Sequence, residues 1–515
     1  MARAGRSRGR GERRRATASL SIAARPANSA TTPVVLPIQP PSVFQRRRRA
    51  LAARLDRAGS HGALLFAGGA TARNYPANPW PLRVSSHFLW TVGASLADAV
   101  LWLRRDRSEL FLPAPDPDDA LWHGASPDFA AIASACGLDD VRPLPELHDA
   151  ILAEGAHGIA TVPVMDPHTR ARQRAWLDRR WPDDHTPRID TLDAIDLALV
   201  DALVSERLCH DEAGIAMIRR AVEGTRAAHL AGMAVTRAGL READVRATME
   251  RELARRQLPC AYGSIVTVHG EILHAREDGN TLADGDLLLA DVGGECQGWA
   301  SDVTRTWPVS GRFSSTQREL YDVVLAANEA AIAMVRPGVR YRDVHLHASL
   351  VLARGLVALG ILRGEPEGLV ERGAHAMLFP HGVGHLLGLD VHDMEDLGDR
   401  AGYAPGRSRS PQFGLGYLRL DRELQPGMVV TIEPGLYRVA ALLDDDARCG
   451  PFVRDGSLDR ERLAHFADVR GIRIEDDVLC TPTDPVVLTA DIPKAPDAVC
   501  AAVGLASASP GIVIG

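Results

Sequence analysis

Apolar and polar positions divide the chain into two stretches with different rhythms. Between Val43 and about Ala198, short apolar runs at Ala63–Phe66, Ala99–Leu103, Glu109–Leu112 and Gly158–Val162 alternate with helix-like segments. Runs of that length, bounded by turn residues, read as strands, and their alternation with helices predicts an α/β domain. From about Asp211 the rhythm changes, and Ile215, Ile218, Val222 and Thr225 recur at helical spacing. Ser314 and Gln317 fit a capping box ahead of Leu320, Val323, Val324 and Ala327, and Pro337-Gly338 ends that helix. A third helix runs to about Gly360. Strongly β-like runs at 264–268, 286–292, 428–433 and 471–479 lie between and after the helices. Strands and helices segregate here, which predicts an α+β class for this half.

The two ends lack such rhythm. Residues 1–42 join Arg-rich, Ser/Thr/Ala and Pro-rich stretches and read as a disordered tail, and residues 491–515 read as a loose one. The expected organisation is a tail over 1–42, an α/β domain over 43–205, an α+β domain over 206–490 and a tail over 491–515. No apolar run reaches the roughly twenty residues that a bilayer span needs. The Arg- and Ser-rich start lacks the apolar stretch of a signal peptide; it is similar to a transit peptide, although such stretches are common in Arg-rich chains.

Charge and cysteine usage narrow the classes further. The formal net charge is -7, yet the first fifty residues hold twelve Arg and one Glu, so the body is net acidic. That balance weighs against a nucleic-acid binder, whose affinity comes from neutralising phosphates. The only lysine is Lys494. Seven cysteines, at 136, 209, 260, 296, 449, 480 and 500, include no C-x-x-C pair. A scattered, odd set in a large chain reads as reduced thiols, which points to a reducing compartment, the cytoplasm.

Candidate chemistry lies in the second half. Asp291 ends the run Asp286-Leu-Leu-Leu-Ala-Asp291, where a carboxylate interrupts what otherwise reads as core. Asp302, Thr304 and Thr306 share one face of an alternating segment. Met428-Val-Val-Thr-Ile-Glu433 again ends in a carboxylate, and in Ile472-Arg473-Ile474-Glu475 the isoleucines face one way and Arg473 and Glu475 the other. Between these lies Pro380-His381-Gly-Val-Gly-His385-Leu-Leu-Gly-Leu-Asp390-Val-His392-Asp393, whose glycines suit a backbone that approaches a ligand closely. A lone strand carboxylate is usually an edge residue or an ion-pair partner, and a lone histidine is usually just hydrogen-bonded. Four such carboxylates beside one histidine cluster need dense positive charge to coexist. Two divalent cations supply it, and a carboxylate set with an imidazole suits Mn, Co, Fe or Zn more than Ca.

The order Asp, Asp, His, Glu, Glu in these contexts resembles the pita-bread metallopeptidases. Several segments resemble aminopeptidase P and prolidase in particular: Ile272-Leu-His274, Asp302-Val-Thr-Arg-Thr-Trp-Pro, Gln317-Arg-Glu-Leu-Tyr-Asp, the histidine segment, Glu433-Pro-Gly-Leu-Tyr and Gly471-Ile-Arg-Ile-Glu-Asp-Asp. Val43-Phe-Gln-Arg-Arg, Ser86-His-Phe-Leu-Trp-Thr-Val-Gly and Ala120-Leu-Trp-His-Gly extend the resemblance to the first domain. The resemblance implies a creatinase-like α/β domain followed by a pita-bread α+β domain. It implies Asp291 and Asp302 on one metal, His385 and Glu433 on the other, and Asp302 and Glu475 bridging, with manganese the first choice. It further implies Glu433 as general base, His274, His381 and His392 as substrate and oxyanion histidines, and Arg473 as the arginine that orients a metal ligand. The implied activity is removal of the residue before a proline by attack of a metal-bridging hydroxide, on proline-containing peptides, by a homo-oligomer that uses neither nucleic acid nor membrane.

Neighbouring readings remain. Prolidase shares the ligands but takes dipeptides only. Methionine aminopeptidase usually lacks such a first domain, creatinase keeps no metal set, and non-catalytic pita-bread binding proteins have typically lost ligands. Two features are unusual for the family: Ala-Arg-Glu-Asp follows His274, and the segment 396–424 is long. That segment, with Tyr403, Phe413 and Tyr417 of exposed type, is expected to cover the cleft and to offer Arg407 or Arg409 to a peptide carboxylate.

Overall fold

The computed structural model describes residues 34–75, 77–114, 119–182 and 188–505. In the first half, strands β1 (Gly62–Phe66), β2 (Val100–Leu103), β3 (Ser108–Leu112), β4 (Asp140–Pro143) and β5 (Ile159–Thr161) form one sheet in the order β4-β3-β2-β1-β5. The β1–β2 and β2–β3 pairs are antiparallel, whereas β4 and β5 join in parallel at the two edges. Four of these strands coincide with the apolar runs. The fifth, β4, reads Asp-Val-Arg-Pro and carries no pattern of its own; it becomes a strand by pairing with β3. The helix Pro41–Arg57 packs its apolar side inward through Val43, Phe44, Leu51, Ala52 and Leu55.

The second half begins with the helix Glu212–Val235, capped by Asp211, whose carboxylate accepts from the Gly214 N–H at 2.8 Å. Its strands form short antiparallel sheets: β6 (Ile265–Thr267), β7 (Leu287–Asp291) and β10 (Thr304–Pro308) in the order β10-β7-β6, with β8 (Glu295–Cys296) and β9 (Trp299–Ala300) as a hairpin. Strands β11 (Val429–Ile432), β14 (Asp476–Leu479) and β15 (Val486–Val487) pair in that order, and β12 (Gly435–Tyr437) pairs β13 (Gly471–Arg473). The expected strand 471–479 is therefore two strands, broken at Ile474 and Glu475. Both halves of the Ser314–Gln317 capping box are made, opening the helix Ser315–Ala333, and the third helix spans Tyr341–Ala358.

The tails differ from expectation where they are described. Residues 1–33 and 506–515 lie outside the described residues. Residues 34–40 pair with the body, through the Val35–Ser95 bridge and hydrogen bonds with Gln297. Residues 491–505 are packed rather than loose: Ile492 and Val499 are buried, and Pro496–Ala502 is a helix.

Three contacts between the halves reach the histidine segment or the residues just after it. Arg83 donates to Asp390 at 3.0 Å, His87 meets Asp396 at 3.0 Å, and Arg207 reaches Asp393 at 2.6 Å. The first domain thus braces the stretch that carries His392. Among the described residues no helix is long and apolar enough to cross a membrane, and all seven cysteines are free.

Candidate metal centre

Each candidate carboxylate sits at or beside a strand end. Asp291 closes β7, opposite Thr304 of β10 and Ile265 of β6. Asp302 precedes β10, and its N–H faces both oxygens of Asp477 at 3.2 and 3.3 Å. Glu433 follows β11, and Glu475 fills the gap between β13 and β14. Antiparallel pairing sets Ile432 of β11 opposite Asp476 of β14, which brings Glu433 and Glu475 to the same end. The Glu475 N–H also donates to Thr304 O at 3.1 Å and ties that end to β10.

His385 comes from irregular backbone that leans on β11. The Thr431 N–H donates to His385 O at 3.0 Å, and Thr431 Oγ1 accepts from the His385 N–H at 3.1 Å. Gly384 has φ +155°, and a Cβ there would run into Thr431 O and the Tyr341 hydroxyl. Glycine permits the approach. His385 Nδ1 meets Leu386 O at 3.0 Å; a carbonyl only accepts, so Nδ1 carries the proton and Nε2 faces the carboxylates. Nε2 lies 3.4 Å from Asp302 and 3.8 Å from Glu433.

Donor atoms of Asp302, His385 and Glu475 all lie within 4.8 Å of one another, a spacing that suits ligands of one cation. Asp291 and Glu433 border this trio, and the five residues line one cavity of about 650 Å³ together with His274, His381, His392 and Arg473. Burial, then repulsion by Asp302, Glu433 and Asp291, holds the Glu475 carboxyl well above its ordinary range. Burial likewise pushes Glu433 up to about 7 and Asp291 up to about 6. Burial works the same way on Asp302, but the adjacent His385 outweighs it and holds that carboxyl down. Carboxylates so crowded cannot all ionise unless more positive charge is added. The donor set therefore fits divalent cations.

Side chains outside the ligand set orient it. Arg473 is 4% exposed, and it donates to Asp291 Oδ2 at 2.7 Å, Thr304 Oγ1 at 2.9 Å and the Tyr437 hydroxyl at 3.3 Å. Thr304 Oγ1 in turn donates to Glu475 Oε2 at 2.7 Å. Replacing this fork by one ammonium cannot satisfy all three acceptors. Arg473→Lys is expected to weaken metal binding roughly 10- to 100-fold, as read by titration of metal-stripped protein; unchanged binding would remove Arg473 from this role.

The candidate histidines differ in what they have free. His381 meets Gly382 O and the Tyr437 hydroxyl, each at 2.8 Å, so both ring nitrogens are engaged within the protein. His392 is held at Nδ1 by Glu395 at 3.2 Å, and its ring stands 4.3 Å from that of His385. His274 is at the cavity edge, with no hydrogen-bond partner among the described residues. Tyr262, which donates to Asp291 Oδ1 at 2.5 Å, was not legible, since Cys260-Ala-Tyr262-Gly carries no pattern. Tyr437 lies in the Glu433-Pro-Gly-Leu-Tyr segment, and only the structure shows that it joins His381 to Arg473.

Segment 396–424 does line the cavity, through Arg409, Phe413, Tyr417 and Arg419. The details differ from expectation. Arg407 is absent from the lining and pairs with Asp421 at 3.4 Å; Arg409 is taken by Asp399 at 2.7 Å and Leu418 O at 3.0 Å. Tyr403 is buried, not exposed, with its hydroxyl on Leu418 O at 2.7 Å. A second segment, after β12, completes the wall with Val439, Ala441, Leu442 and Arg448, and the Arg448 guanidinium lies 5.2 Å over the Phe413 ring.

Residues 216–482 match the model of metallopeptidase family M24, and residues 44–159 match that of the aminopeptidase P N-terminal domain. The chain belongs to metallopeptidase family M24, in its aminopeptidase P branch. Its relatives include an Escherichia coli (strain K12) Xaa-Pro aminopeptidase, 31% identical over 477 residues, or 88% of this chain and 96% of that protein. A probable Xaa-Pro aminopeptidase of Coccidioides posadasii is 32% identical over 438 residues, covering 81% of this chain and 87% of that one. Among solved structures, Pseudomonas aeruginosa aminopeptidase PepP matches with TM-score 0.74 and 30% identity, over 92% of this chain and 100% of that one. The two-domain order of an α/β domain and an α+β metallopeptidase domain, expected from the sequence, is that of this branch, and the protein is a metallo-aminopeptidase.

Proposed function

We propose that this metallo-aminopeptidase releases the N-terminal residue from peptides with proline in second position, using two divalent cations held by Asp291, Asp302, His385, Glu433 and Glu475. The observation that carries the reading is the convergence of these five groups, with three further histidines, in one cavity. Two cations bound there would activate water as a nucleophile and polarise the scissile carbonyl, and manganese is the first candidate. The chain's own groups do the rest. Glu433 takes the proton released by the attacking water. His392 offers Nε2 to the substrate, His274 offers a ring at the cavity edge, and His381 holds Tyr437 and Arg473 in place. Arg473 and Tyr262 keep Asp291 from rotating.

Dipeptide cleavage is the second reading, because guanidinium groups of Arg409 and Arg419 border the cavity. Both are already paired, with Asp399 and Glu395, which favours the aminopeptidase over a carboxylate clamp. Exposed Leu121 and Trp122 on the first domain support self-association there, and the free cysteines support a cytoplasmic setting.

The test is a substrate panel of Arg-Pro-Pro, Gly-Pro and Met-Ala-Ser with added manganese. Arg-Pro-Pro should be cut fastest, Met-Ala-Ser not detectably, and chelation should abolish turnover until Mn or Co is restored. An active preparation that holds less than about one equivalent of metal would contradict the two-cation reading.

A further inference from the structure

The chain's single lysine lies in the segment that its sequence marks as a tail. The structure folds that segment against residues that adjoin the candidate ligands. Arg305 donates to Pro493 O at 3.0 Å and Ile492 O at 3.1 Å, and the Tyr321 hydroxyl donates to Lys494 O at 2.7 Å. Lys494 Nζ donates to Asp476 Oδ2 at 2.8 Å and to Asn328 Oδ1 at 2.7 Å.

Both partners lead directly to candidate metal ligands. Asp476 follows Glu475 in the chain. Fully buried Asn328, from the helix Ser315–Ala333, directs Nδ2 at Ile432 O (3.0 Å) and Ile474 O (3.2 Å). Those are the carbonyls immediately before Glu433 and Glu475. An amide can sit either way round, and flipped it would point an acceptor at two carbonyls. An ammonium carries donors only, so it demands the oxygen side of Asn328 and commits Nδ2 to the two carbonyls. The lysine and the two carbonyls demand the same orientation, and the lysine anchors the oxygen side of the amide that clasps both ligand-bearing backbones.

We propose that Lys494 is a positioning residue for the metal centre: through Asn328 and Asp476, the C-terminal segment fixes the relative placement of Glu433 and Glu475. Metal retention then depends on a side chain that touches no ligand. The proposal rests on reading Glu433 and Glu475 as ligands.

The experiment measures manganese affinity by titration of metal-stripped protein, together with kcat and KM, for the wild type, Lys494→Met and Lys494→Arg. Lys494→Met should weaken binding of the more loosely held cation roughly 10- to 100-fold and lower kcat with little change in KM. Lys494→Arg, which keeps a cationic donor, should recover most of the affinity. Circular dichroism reports whether each variant is folded. Chemical modification of the folded wild type gives a second arm that does not depend on folding of the variants. Acetylation, confirmed at Lys494 by mass spectrometry, should reproduce the loss, and reductive methylation, which keeps the charge, should not. Affinity within about twofold of wild type in folded Lys494→Met, or in the acetylated enzyme, overturns the proposal. Equal losses in Met and Arg variants also overturn it. A wild type that binds no manganese at all would instead refute the ligand reading.

Discussion

Glu433→Gln is expected to lower kcat by about a thousandfold or more while the protein stays folded. The substitution keeps the side chain's size and its place after β11, where the Glu433 N–H donates to Val383 O at 2.8 Å. It removes one negative charge from a crowded set, so it relieves repulsion instead of adding it, and folding should not suffer. What disappears is the proton acceptor, together with an anionic metal donor. General-base contributions alone are typically 10²- to 10⁴-fold, and a weakened ligand adds to that. Steady-state kinetics on Arg-Pro-Pro, with metal content measured on the same sample, gives the answer. Near-normal turnover with metal bound would falsify the assignment of Glu433 as base.

Where the sequence speaks plainly, the interactions are local or strongly patterned. The Ser314–Gln317 capping box spans four residues and forms as read. Apolar strands ending in a carboxylate, such as β7 and β11, stand out because burying charge in a core run is costly. The candidate groups at 274, 291, 302, 381, 385, 392, 433, 473 and 475 do meet in one cavity. What stayed hidden depends on partners far along the chain. Strand β4 has a single core-facing residue, Val141, and exists by pairing with β3. Residues 491–505 read as a tail because their anchors, Arg305 and Tyr321, lie more than 170 residues upstream. Arg407 turned out to serve Asp421, a choice between nearby acids that composition does not decide.

The same distinction bears on His392, whose role depends on residues that follow it. His392→Ala should lower kcat by about 10²- to 10⁴-fold, the range for a lost acid, base or oxyanion donor. Its Nδ1 is engaged by Glu395 at 3.2 Å, and Glu395 is itself held by Arg419 at 2.6 Å. That chain leaves Nε2 as the ring nitrogen open to substrate. It also fixes the ring plane, which stands edge-on to His385 at 4.3 Å. Burial, followed by the nearby His385, keeps the His392 imidazole below its ordinary value, and with Nδ1–H turned to the Glu395 carboxylate the neutral ring presents Nε2 as a proton acceptor. Glu395→Gln retains a hydrogen-bond acceptor but not the charge, and should cost roughly tenfold, as outer partners of a working group typically do. The ordering separates two explanations. A ring that contacts substrate makes His392→Ala much worse than Glu395→Gln, with manganese affinity nearly unchanged in both. If His392 instead only packs against His385, then His392→Ala will lose metal in proportion to its loss of turnover, and supplying excess manganese will restore the rate.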